Sequence, residues 1–245
     1  MQQLYFPFAR IRTYCGRLIV LIWGLFICAT GIVCTYRSDM GLGPWDVLHQ
    51  GISRHTPLTF GEASIAVGAG VIILGLFIKV YPGVGTVLNM SLIGVFVDLQ
   101  LRSQWLPDLS GTPLLVRLLI DIIGVFLMGL GTAFYITPRL GAGPRDGLML
   151  RLHILTKYRI AIVRASIECS VLVIGFFLGG TAGLGTVIFA FGVGPSVEIG
   201  FWLVKRLRTS VGLTPVASVV PSLPVLASDH EPLHPTSHPV DQPAS

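Results

Sequence analysis

Gly41-Leu42-Gly43-Pro44-Trp45-Asp46 returns one hundred residues later as Gly141-Ala142-Gly143-Pro144-Arg145-Asp146. An ungapped comparison of residues 17–101 with residues 117–201 gives 21 identities in 85 positions. A match that keeps a whole motif in register over this length indicates a duplicated structural unit. These two copies indicate the fold, because the segments around the motif follow in the same order in residues 17–101 and in residues 117–201.

A second motif lies downstream of the first in each copy. Gly83-Val84-Gly85-Thr86-Val87 returns as Gly183-Leu184-Gly185-Thr186-Val187. Each copy also contains three long apolar segments, and about 20 such residues are needed to cross the hydrocarbon core of a bilayer. We expect helices at residues 17–37, 61–80 and 84–101 in the first copy, and at 115–138, 162–180 and 184–204 in the second.

An odd number of crossings in each copy turns the second copy upside down relative to the first. The sequence therefore predicts an all-α, polytopic membrane protein with six transmembrane helices in two inverted three-helix repeats, a plan used by several secondary transporters. If the weaker segment after each Gly-x-Gly-Pro-x-Asp motif crossed completely, there would be eight spans and the repeats would be parallel. That arrangement is the alternative.

The composition excludes an ordinary soluble domain. Of the 245 residues, 52% are hydrophobic and only 12% are charged, against about 25% charged in soluble proteins. The excess of 17 Lys and Arg over 12 Asp and Glu has an explanation other than nucleic-acid binding, since basic residues collect in cytoplasmic loops. We expect the lipid bilayer, and no nucleic acid, as a partner. A homo-oligomer or a membrane partner protein is compatible with this sequence.

The positions of the basic residues predict the orientation. With a cytoplasmic N-terminus, 13 Lys and Arg fall in cytoplasmic segments and 4 in external segments, which favours six spans with both termini inside. The expected organisation is a cytoplasmic N-terminus (1–16), a first membrane repeat (17–101), an external loop (102–114), a second membrane repeat (115–204) and a Pro-rich, disordered cytoplasmic tail (205–245). His230, His234 and His238 recur in this tail, but the prolines between them oppose a helical metal site.

The Gly-x-Gly-Pro-x-Asp motif predicts where two short helices begin. Proline is favoured at the first position of a helix, so helices should start at Pro44 and Pro144, with Asp46 and Asp146 in their first turns near the positive end of the helix dipole. The segments that follow are too short to cross. They are half-helices that either enter the membrane partway or lie along its surface. The two carboxylates either contact a solute or serve only as caps of tight turns.

Ionisable residues inside the spans are further candidates, because burying charge in a membrane is expensive. Asp98 and Glu198 occupy corresponding positions of the two copies. Asp98 has Arg102 four residues on and could instead form an interfacial ion pair. Asn89 is either a solute contact or a hydrogen bond between helices.

Two other pairs have the spacing of neighbours on one helix face. Arg117 and Asp121 are expected to neutralise each other, and so are Arg164 and Glu168. The four cysteines lack paired metal-ligand spacing and are read as small apolar residues. No phosphate-binding, zinc-protease or nucleophile-elbow signature is present in the sequence, so neither an enzyme nor a cofactor is expected.

The segments Met40–Gly51, Gly83–Thr86 leading to Asp98, and Gly141–Gly147 resemble the YczE/YyaS/YitT group of bacterial integral membrane proteins, and the YczE-like members in particular. The resemblance covers about residues 15–205. It implies a multi-span protein of the bacterial cytoplasmic membrane, and it implies no activity and no catalytic residue.

These observations favour a secondary transporter or permease for an undetermined small solute. The competing class is a non-transporting accessory or scaffold protein that supports a biosynthetic or export system, and an intramembrane enzyme comes third. The candidates for binding the solute or coupling its movement are Gly41, Gly43, Pro44, Asp46, Asn89, Asp98, Gly141, Gly143, Pro144, Asp146 and Glu198.

Overall fold

The computed structural model describes residues 5–141 and 143–210, and this part of the chain is helical without strands. Six of its helices are long and apolar enough to cross a membrane. The protein is therefore an all-helical, multi-span membrane protein. In chain order its helices are α1 (Tyr5–Ser38), α2 (Pro44–His55), α3 (Phe60–Phe77), α4 (Val84–Ser103), α5 (Leu114–Ile136), α6 (Pro144–Thr156), α7 (Ile160–Phe177) and α8 (Leu184–Ser210).

The six expected spans are all found, and most of their boundaries agree within three residues. The two terminal helices are longer than expected. Helix α1 already begins at Tyr5, and α8 continues to Ser210, because a helix that leaves the membrane can continue past the apolar segment that marks it in the sequence. The remainder of the expected tail, including His230, His234 and His238, lies outside the described residues.

Helices α2 and α6 are the two expected half-helices, and each begins at the proline of its motif. With 12 and 13 residues they reach about 18–20 Å at a rise of 1.5 Å per residue, well short of a bilayer core of about 30 Å. Most residues in the first two turns of α2 are buried. A helix lying along the membrane surface would leave one face free, so this burial favours a half-helix that enters the protein interior.

Helices α1 and α5 form the centre and cross as an antiparallel pair. A Cβ atom added to Gly24 would lie 2.9 Å from Gly131 O, and one added to Gly31 would lie 2.5 Å from Gly124 O. The residue number rises along one helix as it falls along the other, which makes the pair antiparallel. These glycines let the two backbones approach more closely than any side chain would permit.

The two motifs of each copy meet across the copies. Gly85 N donates to Leu140 O and Gly185 N donates to Met40 O, both at 2.8 Å. The glycines that follow these two carbonyl groups, Gly41 and Gly141, have φ angles of 113° and 139°, which a side chain would disfavour. The loop before each half-helix is thus fixed to the start of the last helix of the other copy.

Each half-helix also packs against a helix of the other copy. A Cβ atom on Gly175 of α7 would lie 2.5 Å from Leu48 N of α2. In the corresponding contact, Arg151 of α6 donates from Nε to Ile78 O, at the end of α3, at 2.8 Å. Helix α2 therefore packs against α7, and helix α6 contacts the end of α3, so that each short helix touches a helix of the other copy.

Candidate functional site

The first turns of the two half-helices meet inside the protein. The guanidinium carbon of Arg145 lies 4.6 Å from the centre of the Trp45 ring, a cation–π geometry. Arg145 Nη2 also lies 3.2 Å from His49 Nε2. Because a guanidinium has only donors, His49 Nε2 accepts this hydrogen bond and the ring proton lies on Nδ1.

A buried carboxylate completes this arrangement. Asp46 Oδ1 lies 3.3 Å from His49 Nδ1, and both side chains are buried. Asp46, His49 and Arg145 thus lie side by side, and within the described ranges His49 Nδ1 has a close electrostatic contact with Asp46 and no hydrogen bond. Asp46 occupies the first turn of its helix, as expected.

A second polar cluster lies beside the start of α6. The Tyr135 hydroxyl donates to Asp146 Oδ2 at 3.1 Å. A Cβ atom added to Gly143 would lie 3.1 Å from Asp146 Oδ2 and 3.4 Å from both Asn89 Oδ1 and the Tyr135 hydroxyl. Three polar groups from α4, α5 and α6 therefore converge on a point that only a glycine leaves open.

The two clusters border one cavity of about 450 Å³. It is open on one side and brings together side chains of α1, α3, α4, α5, α7 and α8 with the first turns of the half-helices. Five expected site residues line it, namely Asn89, Gly143, Pro144, Asp146 and Glu198. Residues that were not expected there are Trp45, Tyr135, Arg145, Arg164 and Glu168. The cavity thus presents charges of both signs.

The remaining expected residues have other positions. Gly41 and Gly141 belong to the two joints described above, and Gly43 packs against the Phe189 ring, which a Cβ atom would approach to 3.1 Å. Pro44 begins α2 and is buried. Asp46 is buried beside His49 and is not among the residues that line the cavity.

Asp98 is engaged at a helix end. Its Oδ1 accepts from Gly61 N at 2.8 Å, and its Oδ2 accepts from the Thr59 hydroxyl. Both partners belong to the N-terminus of α3, whose capping box is formed by Thr59 and Glu62. The contacts of Asp98 are therefore those of a carboxylate that joins α4 to α3, and the alternative ion pair with Arg102 is not formed among the residues that the structure describes.

Of the two expected ion pairs, one is confirmed and one is wrong. Arg164 Nε and Glu168 Oε1 are 2.9 Å apart. Arg117 instead donates from Nε to Ser38 O at 2.8 Å, and its Nη2 lies 3.3 Å from Asp39 Oδ2. The i, i+4 spacing of Arg117 and Asp121 predicted the wrong partner. The guanidinium of Arg117 instead finds acceptor oxygens at the end of α1 and in the loop that follows it.

Sequence reasoning missed His49, Tyr135 and Arg145 as functional residues. Arg145 carried a visible signal, since it stands where the first copy has Trp45 and is a charge placed in the first turn of a half-helix. His49 lies three residues after Asp46 on the same helix, a spacing that sequence reasoning overlooked, whereas Tyr135 carried no signal because its partner Asp146 lies on another helix. Among the described residues, no group of three His, Cys, Asp or Glu side chains could hold a metal ion, and all four cysteines are free thiols.

Comparison with known proteins places the chain in a family without an assigned activity. Residues 15–200 match the model of a family of unknown function, DUF6198. An uncharacterised protein of Haemophilus influenzae is 38% identical over 188 residues, which cover 77% of this chain and 84% of the relative. The uncharacterised membrane protein YczE of Bacillus subtilis is 34% identical over 212 residues, covering 80% of this chain and 97% of the relative.

A third relative, the uncharacterised protein YyaS of Bacillus subtilis, is 29% identical over 170 residues, covering 67% of this chain and 82% of the relative. No solved structure matches the chain. The expected resemblance to YczE and YyaS is confirmed. The chain is an integral membrane protein and belongs to the DUF6198 family of unknown function.

Proposed function

We propose that this protein is a secondary transporter or permease for a small polar solute, which binds in the cavity between the first turns of the two half-helices. The proposal includes two repeats of inverted topology in a bacterial cytoplasmic membrane, with both termini inside, and no enzymatic activity. The observation that carries it is the convergence of Arg145, Asp146 and Asn89 on this cavity.

The antiparallel crossing of α1 and α5, which are the corresponding first helices of the two copies, supports the inverted topology, and contacts between corresponding positions mark where the axis between the copies lies. Trp45 lies against Arg145, and the Cys28 thiol lies 3.5 Å from Met128 O, so that positions exactly one repeat apart touch each other. Such contacts fall on the axis that relates two copies. In an inverted repeat this axis runs in the membrane plane and the solute site lies close to it, and all four of these residues line the cavity.

The chemistry of the cavity supports a polar solute. Its volume of about 450 Å³ lies in the range of small-molecule sites, which is about 300–1,000 Å³. Arg145 offers a positive charge, and Asp146 and Glu198 offer negative ones. Because ionisable groups in a membrane interior are costly and usually functional, so many polar side chains around one space favour a ligand that carries charges itself.

Alternating access provides the test. In a variant without native cysteines, Asn89→Cys places a thiol in the cavity and Ile174→Cys places one on the exposed, apolar face of α7. A transporter predicts that a membrane-impermeant thiol reagent reaches Asn89→Cys in both right-side-out and inverted vesicles, and that it does not reach Ile174→Cys. Labelling of Asn89→Cys from neither side would contradict the proposal and favour an accessory or scaffold protein.

Transport itself is measured as solute-induced current across reconstituted vesicles on a solid support. A panel of amino acids, organic acids and amines covers the charges that the cavity presents. We expect a current for at least one of these solutes, abolished by Asp146→Asn. If protein that passes the labelling test gives no current, the solute lies outside these three classes or is exchanged without net movement of charge. Exchange of radiolabelled solutes from the same panel decides between these two cases.

A further inference from the structure

Asp121 is a fully buried carboxyl group about two turns into the membrane helix α5. It lies outside the cavity, where α5 contacts α1 and the start of α8. The corresponding position of the first copy is Leu21, which is also fully buried. An apolar side chain therefore satisfies the packing of this position in one copy, and the second copy has placed an ionisable group there.

The Ser38 hydroxyl is the side-chain partner that the structure places against the Asp121 carboxyl group. The Ser38 hydroxyl donates to Thr35 O at 2.8 Å within α1. Its oxygen also lies 3.1 Å from Asp121 Oδ1. A hydroxyl group has a single proton, which Ser38 can donate to Asp121 Oδ1 or to Thr35 O, so this contact supplies at most one donor to the carboxyl group. The other carboxyl oxygen, Oδ2, is buried and has no hydrogen-bond partner within the part of the chain that the structure describes.

The charged groups on the surrounding helices are engaged elsewhere. Arg117, one turn away on α5, is directed to Ser38 O and Asp39. On α1, Arg37 donates from Nη2 to Leu101 O at 3.1 Å. On α8, Glu198 lies 13 residues beyond Gly185, about 20 Å along the helix. An ionised Asp121 would be a buried charge without a counter-ion, and such groups instead take up a proton.

We infer that Asp121 carries a proton in this state and is the proton-binding site of the protein, rather than Asp98 or Glu198, two of the sequence candidates for binding the solute or coupling its movement. The carboxyl group touches the joint between the copies, since a Cβ atom on Gly185 would lie 2.9 Å from Asp121 Oδ1 and 3.1 Å from the Met40 carbonyl carbon. Met40 leads directly into the loop before α2. Release of the proton to water would place a negative charge at this joint, so proton binding is linked to the position of the half-helix. The coupling role rests on the proposed transport function, whereas the protonated state does not.

Infrared spectroscopy of the full-length protein in lipid tests the protonated state. At neutral pH we expect a carbonyl stretching band of a protonated carboxyl group, which is lost in Asp121→Asn and retained in Asp39→Asn. Asp39 is a suitable control because it is half-exposed and lies beside Arg117. A spectrum that Asp121→Asn leaves unchanged would overturn the inference.

Thermal unfolding gives a second readout, because asparagine has nearly the shape of a protonated aspartic acid. We expect Asp121→Asn to accumulate and to keep the melting midpoint of the wild type. A variant that fails to accumulate, or melts well below the wild type, would show that the negative charge is needed at the start of α8 and would also overturn the inference. Since neither measurement involves a solute, a missing transport current combined with a present band would refute only the transport proposal.

Discussion

The guanidinium of Arg145 stacks on the ring of Trp45 at 4.6 Å, and these two residues are the same position in the two copies of the duplicated unit. Their contact brings together the N-terminal turns of two half-helices that enter the protein from different copies. Because this position is an aromatic residue in the first copy and a cation in the second, the two copies have complementary side chains where they meet.

This contact predicts an energetic coupling between the two side chains. In a double-mutant cycle of Trp45→Ala and Arg145→Ala, we expect a coupling free energy of about 1–2 kcal/mol, because a desolvated cation–π pair is worth more than an exposed one. The free energy of unfolding in mild detergent is the measurement. The pair of Trp202 and Arg206, with its exposed ring 5.3 Å from the guanidinium, is the control and should couple by about 0.5 kcal/mol. Equal coupling in both pairs would contradict the buried contact.

The antiparallel crossing of α1 and α5 predicts a strong response to one added methyl group. Gly31→Ala directs a Cβ atom to within 2.5 Å of Gly124 O, and overpacking of this kind costs about 1–3 kcal/mol. Gly70 of α3 has no atom within 4 Å of an added Cβ, so Gly70→Ala should leave the melting midpoint unchanged or raised. Similar midpoints for the two variants would show that α1 and α5 do not approach in this way.

The proposed inverted topology predicts that the ends of the two half-helices face opposite sides of the membrane. Thr56 follows α2, Lys157 follows α6, and both are exposed. In a cysteine-free background, a membrane-impermeant thiol reagent added to intact cells should label Thr56→Cys, and should label Lys157→Cys only after the membrane is opened. Labelling of both from the same side would exclude inverted repeats.

We expect different effects from substitutions of Asp98 and Asp146, two carboxylates that the sequence alone does not distinguish. Asp98→Ala removes two hydrogen bonds from the start of α3, and we expect it to destabilise the protein by about 1–3 kcal/mol and to lower its accumulation. Asp146→Asn keeps an acceptor for the Tyr135 hydroxyl, so the melting midpoint should change little while solute-induced current is lost. Loss of current with normal stability in Asp98→Ala would return Asp98 to the transport site.

Much of the fold was readable from the sequence because its determinants are local. The length of an apolar segment decides whether it can span a bilayer, and proline after Gly-x-Gly decides where a helix begins. Both half-helices accordingly start at Pro44 and Pro144, as expected. Arg164 and Glu168 also pair as expected, because their spacing places both side chains on one face of the same helix.

Within the candidate site, the sequence indicated the motif and several of the lining residues, among them Asn89, Asp146 and Glu198. It could not separate these from Asp98, whose partners belong to the start of another helix. Spacing along the chain reveals only neighbours on the same helix, and the partners of a membrane-buried side chain are mostly on other helices.

The amino-acid sequence by itself determined that this protein is a duplicated, all-helical membrane protein with two short helices, because repeat register, apolar length and proline position are properties of the chain alone. Only the tertiary structure decided that Arg145 meets Trp45 and that Arg117 turns away from Asp121 to the loop after α1. These choices depend on close helix crossings, and a buried polar group takes the partner that the crossing brings within hydrogen-bonding distance.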